Sequence, residues 1–303
     1  MLIETKRSWL TFGALAAGAA LTLAACGGDS SSGSGDSSAS PLPSISADSE
    51  LAAGLPEAIK SAGVIKFGTD ASYAPMEFIA EDGSTIEGAD IDLGNAIAAK
   101  LGLTTEWTNS TFDSLIVGVT NGKFDASMSS FTINPERLEQ VNMVSYLNAG
   151  TAWAVAKGNP ENVDPEDACG KSVGVQKATV QVEDIEARNA ACTEAGKEPI
   201  DIQQFTLQSD ATTALASGKV DAMLADSPVI AYAITQTGQL EQVGEIYDSA
   251  PYGVVVPLDQ EDLAKSVQGA VQAMIDDGTY KEILAKWGLE DGAVTTSELN
   301  PTS

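Results

Sequence analysis

The chain has 303 residues, with 43 Asp and Glu against 16 Lys and Arg, and a formal net charge of −27. Phosphate binding requires a basic surface, so this acidity excludes nucleic acid as a partner. The sequence contains no histidine, which excludes Ser–His–Asp catalysis, Cys–His catalysis and histidine metal sites. We therefore expect neither a metal site nor a cofactor.

The N-terminus is typical of a secretory signal peptide, because Lys6 and Arg7 precede an apolar, small-residue run from Trp9 to Ala25. A transmembrane anchor is the alternative, but this run is short for a hydrocarbon core of ~30 Å. It ends in "LAAC", which resembles the lipobox of bacterial lipoproteins and implies a lipid on Cys26. We expect a signal peptide at 1–25 and lipid anchoring at the extracytoplasmic face of the cell membrane.

Residues 26–54 are rich in Gly, Ser, Ala, Pro and Asp and contain few large apolar side chains. Such a segment buries too little surface to offset its ordering entropy, which predicts a flexible tether. The remaining residues are numerous enough for two lobes of ordinary domain size.

The first elements of the folded part alternate between strand and helix patterns. A strand pattern, "GVIKFGTD", precedes a helical one, "IDLGNAIAAKLGL", in which Leu93, Ile97 and Leu101 share one face. A strand, a helix and another strand are then predicted in "TTEWT", "FDSLIVGVTNGK" and "FDASMSS". This alternation favours parallel α/β sheets.

The next elements repeat the plan. "GKSVGVQKAT", "IDIQQF" and "VDAMLAD" read as strands, with helical "VQVEDIEARNAACTEAG" and "SDATTALASGK" between them. The two segments "NGKFDASMSS" and "SGKVDAMLADSP" are similar, but the first ends at Ser129 and Ser130 and the second at Asp226. We predict one lobe at 55–150 plus 254–303 and another at 151–253, so that the chain crosses between them twice.

Polar residues follow several of the predicted strands. Ligands bind outside the carboxyl ends of strands in open α/β sheets. These ends carry Asp70, Ser129, Ser130, Thr132, Thr179 and Asp226, and Arg137 follows in a turn. An Arg137 guanidinium gripping a carboxylate, with Asp226 taking an ammonium, would suit a small zwitterion. The alternatives are a helix-capping role for the aspartates and a surface ion pair for the arginine, as we expect for Arg188.

Two cysteines remain besides Cys26. An even pair in an exported chain predicts a disulfide between Cys169 and Cys192, with two buried thiols as the alternative.

Motif order and spacing from about residue 63 to 289 resemble the family 3 solute-binding proteins, the polar amino-acid receptors of ABC importers. The similar segments are "GTDASYAPMEF", "GADIDLGNAIAAKLG", "FDSLIVGVTNGKFDASMSSFTINPER", "GKSVGVQKATVQ", "SGKVDAMLADSP" and "DDGTYKEILAKWG". The resemblance implies the type II periplasmic-binding fold, in which two α/β lobes joined by a two-crossing hinge enclose a ligand cleft. It also implies capture of a polar amino acid or a related zwitterion by hinge closure and its delivery to a permease and an ATPase.

The resemblance assigns roles to individual positions. Arg137 would bind the ligand α-carboxylate and Asp226 its ammonium, and Thr132 and the main chain at Ser130 would meet either group. Tyr73 would flank the ligand and Phe112 would pack over it. Asp70 would face the ligand side chain, with Asp90 near it. The full predicted set is Asp70, Tyr73, Phe112, Ser129, Ser130, Thr132, Arg137, Thr179 and Asp226.

The sequence departs from the family pattern at a few of these places. Met76 and Ala89 replace phenylalanines, and "ATV" at 178–180 replaces a Gly-Thr-Thr or Gly-Ser-Thr motif. Ala178 would restrict the approach of the backbone to the carboxylate. These changes concern the shape of the pocket rather than the frame that holds an α-amino acid.

The identity of the ligand and two other functions stay open. Asp70, Glu77 and Asp90 favour a cationic or amide side chain, whereas an acidic ligand would need a second cation such as Lys177. One alternative is a dehydratase-like enzyme on the same fold, with Asp, Glu or Lys as its acid. Another is a ligand-sensing subunit for a membrane kinase. We expect a monomer whose contact with the membrane is the lipid.

Overall fold

The computed structural model describes residues 45–302, so the predicted signal peptide and the lipidated Cys26 lie outside the described residues. Within that range the strands are β1 (Val64–Thr69), β2 (Ser72–Tyr73), β3 (Glu77–Ile79), β4 (Ile86–Glu87), β5 (Thr104–Asn109), β6 (Ala126–Thr132), β7 (Val141–Ala156), β8 (Ser172–Gln176), β9 (Asp201–Phe205), β10 (Ala222–Asp226) and β11 (Leu240–Pro257). The helices are α1 (Ser49–Ala53), α2 (Glu57–Ala62), α3 (Ala89–Lys100), α4 (Phe112–Thr120), α5 (Pro135–Leu138), α6 (Val180–Glu194), α7 (Gln208–Ala216), α8 (Ser227–Thr237), α9 (Glu261–Asp277) and α10 (Thr279–Trp287).

Ordered structure begins before residue 55, inside the segment for which the sequence predicts a tether. The Asp48 side chain accepts hydrogen bonds from Glu50 N and Leu51 N and so caps α1. Ile45 and Leu51 pack against the core. Two apolar side chains and one cap are enough to fold this end of a Ser- and Ala-rich segment onto the protein.

One mixed sheet of eight strands runs through the protein in the order β5-β1-β6-β11-β7-β10-β8-β9. β1 is parallel to β5 and β6, and β8 is parallel to β9 and β10, as the alternation of strands and helices predicts. β7 and β11 instead run antiparallel to their neighbours at the centre. The sheet therefore has two parallel wings, which we call the first lobe (β5, β1, β6) and the second lobe (β10, β8, β9).

The two central strands connect the lobes. β7 has 16 residues and β11 has 18, and they pair from Leu240 opposite Ala156 to Pro257 opposite Val141. β7 meets β10 of the second lobe at Thr151, and β11 meets β6 of the first lobe at Tyr252. The two crossings of the hinge are thus adjacent strands of one ribbon.

Residues 298–300, near the described C-terminal end, pair with residues 143–145 of β7 on the side that faces away from β11. Asn300 N donates to Met143 O at 2.8 Å, and Ser145 N donates to Glu298 O at 2.9 Å. An isolated bridge pairs Val144 with Leu299. These bonds satisfy backbone groups that an edge strand would otherwise present to other chains.

The second lobe has its own small core around Trp153, Val173 and Ile185. A disulfide joins Cys169, which precedes β8, to Cys192 on α6 beside this core. Among residues 45–302, no helix combines the length and the apolar character needed to cross a bilayer.

Candidate ligand-binding cleft

A cavity lies between the two lobes, at the carboxyl ends of the parallel strands. The first lobe contributes Asp70, Tyr73, Phe112, Ser129, Ser130, Thr132 and Arg137, and the second lobe contributes Gln176, Thr179, Val180, Gln181 and Asp226. The cavity that these residues line has a volume of about 10 Å³. All nine residues in the predicted ligand-binding set line this one cavity. They lie together because β1, β6, β8 and β10 all have their carboxyl ends at this cavity.

Arg137 is held rigidly on the short helix α5. The Asn134 side chain accepts a hydrogen bond from Arg137 N at 2.9 Å and fixes the start of the helix. The guanidinium carbon lies 5.6 Å from the ring centroids of both Phe112 and Phe131. Nη1 donates to Thr132 O at 2.7 Å. The ring contacts and this bond aim a cation into the cavity.

The charge on Arg137 has no close counter-charge in the part of the chain that the structure describes. Among residues 45–302, the ion pairs within 4.0 Å do not include it. Burial lowers the pKa of the guanidinium, and the more distant Asp226 opposes that shift. Because a buried cation that meets only carbonyl oxygens is poorly compensated, this site favours an anionic group. Arg188, by contrast, pairs with Asp184 at 2.8 Å, as the sequence predicts.

Ala178 lies at the position where the family pattern has glycine. Its φ of +62° is in the left-handed region, which a residue with a Cβ adopts at a cost. The Ala178 carbonyl accepts a hydrogen bond from Arg137 Nη2 at 3.2 Å. The alanine therefore keeps the glycine-like backbone, and its carbonyl contacts the arginine from the second lobe.

Asp226 faces the cavity from the second lobe. It occupies the position before α8, yet its side chain makes no capping hydrogen bond there, which removes the helix-cap alternative. Its Oδ2 accepts from the Tyr73 hydroxyl at 2.7 Å, and its Oδ1 accepts from Gln181 Nε2 at 2.8 Å. Burial raises the pKa of this carboxyl, and the bonds from Tyr73 and Gln181 oppose that shift.

Asp70 is a second buried carboxylate on the cavity wall. Its Oδ2 accepts from Phe112 N and from Gln176 Nε2, each at 2.9 Å. The first bond comes from the first lobe and the second from the other lobe. Burial raises the pKa of Asp70. One carboxylate oxygen of Asp70 is thus fixed by a donor from each lobe.

Sequence reasoning missed three lining residues: Gln176, Val180 and Gln181. Gln176 ends β8, so the rule that found Thr179 could also have found it. Val180 and Gln181 lie in the first turn of α6, where sequence alone does not say which side chain turns inward. Gln181 also donates to Thr151 Oγ1 at 3.0 Å, which links Asp226 to the first crossing strand.

Three residues that the sequence analysis considered for contact with the ligand side chain do not line the cavity. Lys177 is exposed and does not line the cavity, so it supplies no second cation there. Glu77 and Asp90 are fully buried and lie behind the wall. They bond to Ser129 and Ser130, which do line it. Asp90 does not line the cavity itself and meets it through Ser130, so its place near the ligand side chain stays a prediction.

Comparisons with known proteins agree with this architecture. Residues 65–290 match the profile of the bacterial extracellular solute-binding proteins, family 3. The chain belongs to this family. The match confirms the resemblance predicted from the motifs.

Relatives of this family member are binding proteins for amino acids. The arginine-binding protein ArgT of Corynebacterium glutamicum is 39% identical over 83% of this chain and 83% of its own length. An ancestral arginine-binding protein solved with bound arginine is 35% identical, covering 74% of this chain and 98% of its own, with a TM-score of 0.69. The ancestral amino acid-binding protein AncCDT-1, described as a precursor of cyclohexadienyl dehydratase, is 30% identical over 76% of this chain and 98% of its own, with a TM-score of 0.69. The fold is accordingly the type II periplasmic-binding fold.

Proposed function

We propose that this protein is the substrate-binding component of an ABC importer and that it captures a basic amino acid, with arginine as the first candidate. The observation that carries the proposal is the distribution of charge around the cavity. Arg137, a cation without an ion pair among residues 45–302, lines the cavity together with two buried carboxylates, Asp226 and Asp70. A basic amino acid carries the complementary set of one negative and two positive groups. The arginine-binding relatives support the same ligand class.

Each charged group of the ligand has a matching group in the cavity. The α-carboxylate binds Arg137 bidentately, since a guanidinium matches carboxylate geometry. The α-ammonium binds Asp226, with Thr132 and the Ser130 main chain beside it. The ligand side chain passes between Tyr73 and Phe112 toward Asp70, and Thr179 approaches from the second lobe. Ser129 supports the wall.

Binding occurs by hinge closure and involves no chemistry. The ligand binds the first lobe (55–150 plus 254–303) through Arg137 and Asp70, and the second lobe (151–253) adds Asp226. Because contacts to the second lobe exist only when the lobes meet, the ligand stabilises the closed form by those contacts. The permease and its ATPase then take the ligand from the closed form.

The protein works at the outer face of the bacterial cell membrane as a monomer held by lipid on Cys26. An acidic, His-free chain with a lipobox-like "LAAC" supports this placement. Replacing Cys26 by Ser should release the protein from the membrane fraction into the medium. Retention of the variant in washed membranes would contradict the lipid anchor.

A thermal-shift panel of the twenty amino acids, followed by calorimetry, tests the function. We expect arginine to give the largest rise in Tm and lysine and ornithine smaller ones. A panel in which no amino acid shifts Tm would overturn the proposal. Incubation with prephenate or arogenate is the matching test for an enzyme, and formation of a dehydrated product would contradict binding without chemistry.

A further inference from the structure

Two carboxyl groups lie side by side behind the cavity wall, where no ligand reaches them. Glu77 and Asp90 are both 0% exposed. Gly88 makes this approach possible: its φ is +141°, and a Cβ there would lie 2.1 Å from Met76 O. Asp90 N donates to Met76 O at 2.9 Å, which fixes the start of α3 against β3.

The contacts of the pair leave one carboxyl oxygen without a donor. Ser129 Oγ donates to Glu77 Oε1 at 2.8 Å. Glu77 Oε2 is buried and meets no N–H or O–H donor among residues 45–302. Its neighbour is Asp90, whose negative charge opposes ionisation of Glu77. Two neighbouring buried carboxyl groups are not both ionised, so one of them carries a proton, which can satisfy the oxygen that lacks a donor.

The surroundings favour Glu77 as the protonated member. Asp90 lies in the first turn of α3, where the helix dipole stabilises a negative charge. It also accepts hydrogen bonds from Ser130 N at 2.9 Å and from the Tyr146 hydroxyl at 2.8 Å. Burial raises the pKa of both carboxyls, well above the usual range for Glu77 and to about 6 for Asp90. The titratable groups facing the pair are Asp70 beyond β1, Tyr73 on β2 and Tyr146 on β7.

The pair forms hydrogen bonds to Ser129 and Ser130 of the wall, and Ser130 has an uncommon backbone conformation. Ser130 has a φ of +52°, the left-handed region that a serine adopts at a cost. Its N–H bonds to Asp90, and Ser129 Oγ bonds both Glu77 and Asp70 N. The wall residues beside Asp70 are thus held from behind by two acids that share one proton.

We propose that Glu77 and Asp90 hold a single proton between them and act as positioning residues, fixing Ser129 and Ser130 in the conformation that binds the ligand. This inference rests on the proposed function for its affinity readout. A pair that shares a proton carries one negative charge, so its burial costs less than burial of two carboxylates would.

Conservative and non-conservative changes at Glu77 separate positioning from mere packing. Glu77→Gln presents an N–H to Asp90 and an oxygen to Ser129, as a protonated glutamate does. We expect it to bind arginine within about threefold of the wild type. Glu77→Leu leaves Ser129 and Asp90 without their partner, and we expect an affinity loss of about tenfold or more. Equal losses in the two variants, or none in Glu77→Leu, would overturn the proposal.

A second readout tests the proton without any ligand. The folded protein keeps this proton at pH values where the unfolded chain has released it. Its stability therefore falls as pH rises above the ordinary glutamate pKa. We expect the Tm of Glu77→Gln to fall less than that of the wild type as pH rises from about 4.5 to about 8. The control Glu81→Gln removes an exposed negative charge in the turn between β3 and β4, and its Tm should follow that of the wild type. Parallel Tm curves for Glu77→Gln and the wild type would overturn the shared proton, even if no amino acid bound or Glu77→Leu failed to fold.

Discussion

The Tyr73 hydroxyl of the first lobe donates a hydrogen bond to Asp226 Oδ2 of the second lobe at 2.7 Å, and the hydroxyl oxygen accepts one from Asp226 N at 3.2 Å. Tyr73 is 6% exposed, as is Asp226. The residue predicted to flank the ligand and the residue predicted to hold its ammonium thus also hold the lobes together. Flanking the ligand and closing the cleft are therefore linked through one side chain.

Tyr73→Phe should weaken closure while leaving the ring in place. We expect ligand affinity to fall by about three- to tenfold, mainly through faster dissociation, because the lost bond belongs to the closed form. Stopped-flow fluorescence would give both rate constants. A variant in which only association slowed would contradict a closing role for the hydroxyl.

Arg137→Ala should abolish most of the affinity for every amino-acid ligand. The ligand carboxylate would be buried without a partner, which costs about 3–5 kcal/mol for a broken buried pair, or more than a hundredfold in Kd. Calorimetry checks this loss. Arg188→Ala is the matched control, since Arg188 pairs with Asp184 in the second lobe and does not line the cavity. The control should keep its affinity within about threefold even if its stability falls.

Asp70→Asn should change specificity more than affinity for the α-amino-acid frame. We expect arginine binding to fall by about tenfold or more and glutamine binding to change by less than about threefold, because only arginine places a cation there. The ratio of the two Kd values is the readout. Asp113→Asn is the matched control. Asp113 is exposed and does not line the cavity, but its charge acts on Asp70, and its removal should leave the ratio unchanged. Equal losses for both ligands would place Asp70 away from the ligand side chain.

Acidic pH should act in opposite directions on affinity and stability. Burial raises the pKa of Asp70 and Asp226, so both gain protons at a higher pH than ordinary aspartates. Ligand cations need the ionised forms, and affinity should therefore decline as pH falls from neutral. A carboxyl with a raised folded pKa stabilises the protein most at low pH and less as pH rises through that pKa. Thermal scans with and without arginine from about pH 5 to 8 would show a ligand-induced rise in Tm that grows with pH.

Removal of the disulfide should affect stability and not binding. The bond joins residues 23 apart in sequence, and a loop of that length predicts a loss of about 3 kcal/mol in the free energy of unfolding. Denaturant unfolding of the Cys169→Ser, Cys192→Ser double variant measures it. Because neither cysteine lines the cavity, arginine affinity should stay within about threefold.

The sequence predicts the contents of the cavity well because its residues follow strands. Asp70 directly follows β1, Thr132 ends β6 and Asp226 ends β10. Gln181 escapes such reasoning because it lies within a helix, and only the packing of α6 turns it toward Asp226. The sequence also does not reveal that Glu77 and Asp90 lie behind the wall of the cavity rather than on it.

The central strands are the part of the fold that local patterns describe least. The stretch from Leu240 to Pro257 mixes buried and exposed residues with register shifts between Val243 and Ala250. No single alternation runs through it, because its two halves belong to different lobes with different buried faces. Its length as one continuous strand follows from pairing with β7 and not from its own residues.

Residues 297–300, bonded along β7, have a consequence for the order in which the protein assembles. The second lobe is built from a nearly continuous stretch that also contains both bridged cysteines. The first lobe needs β1 and β6 from early in the chain, β11 from much later, and finally the Val144–Leu299 bridge. The cleft has one wall from each lobe, so it is complete only when the late segments of the first lobe have paired with β6 and β7.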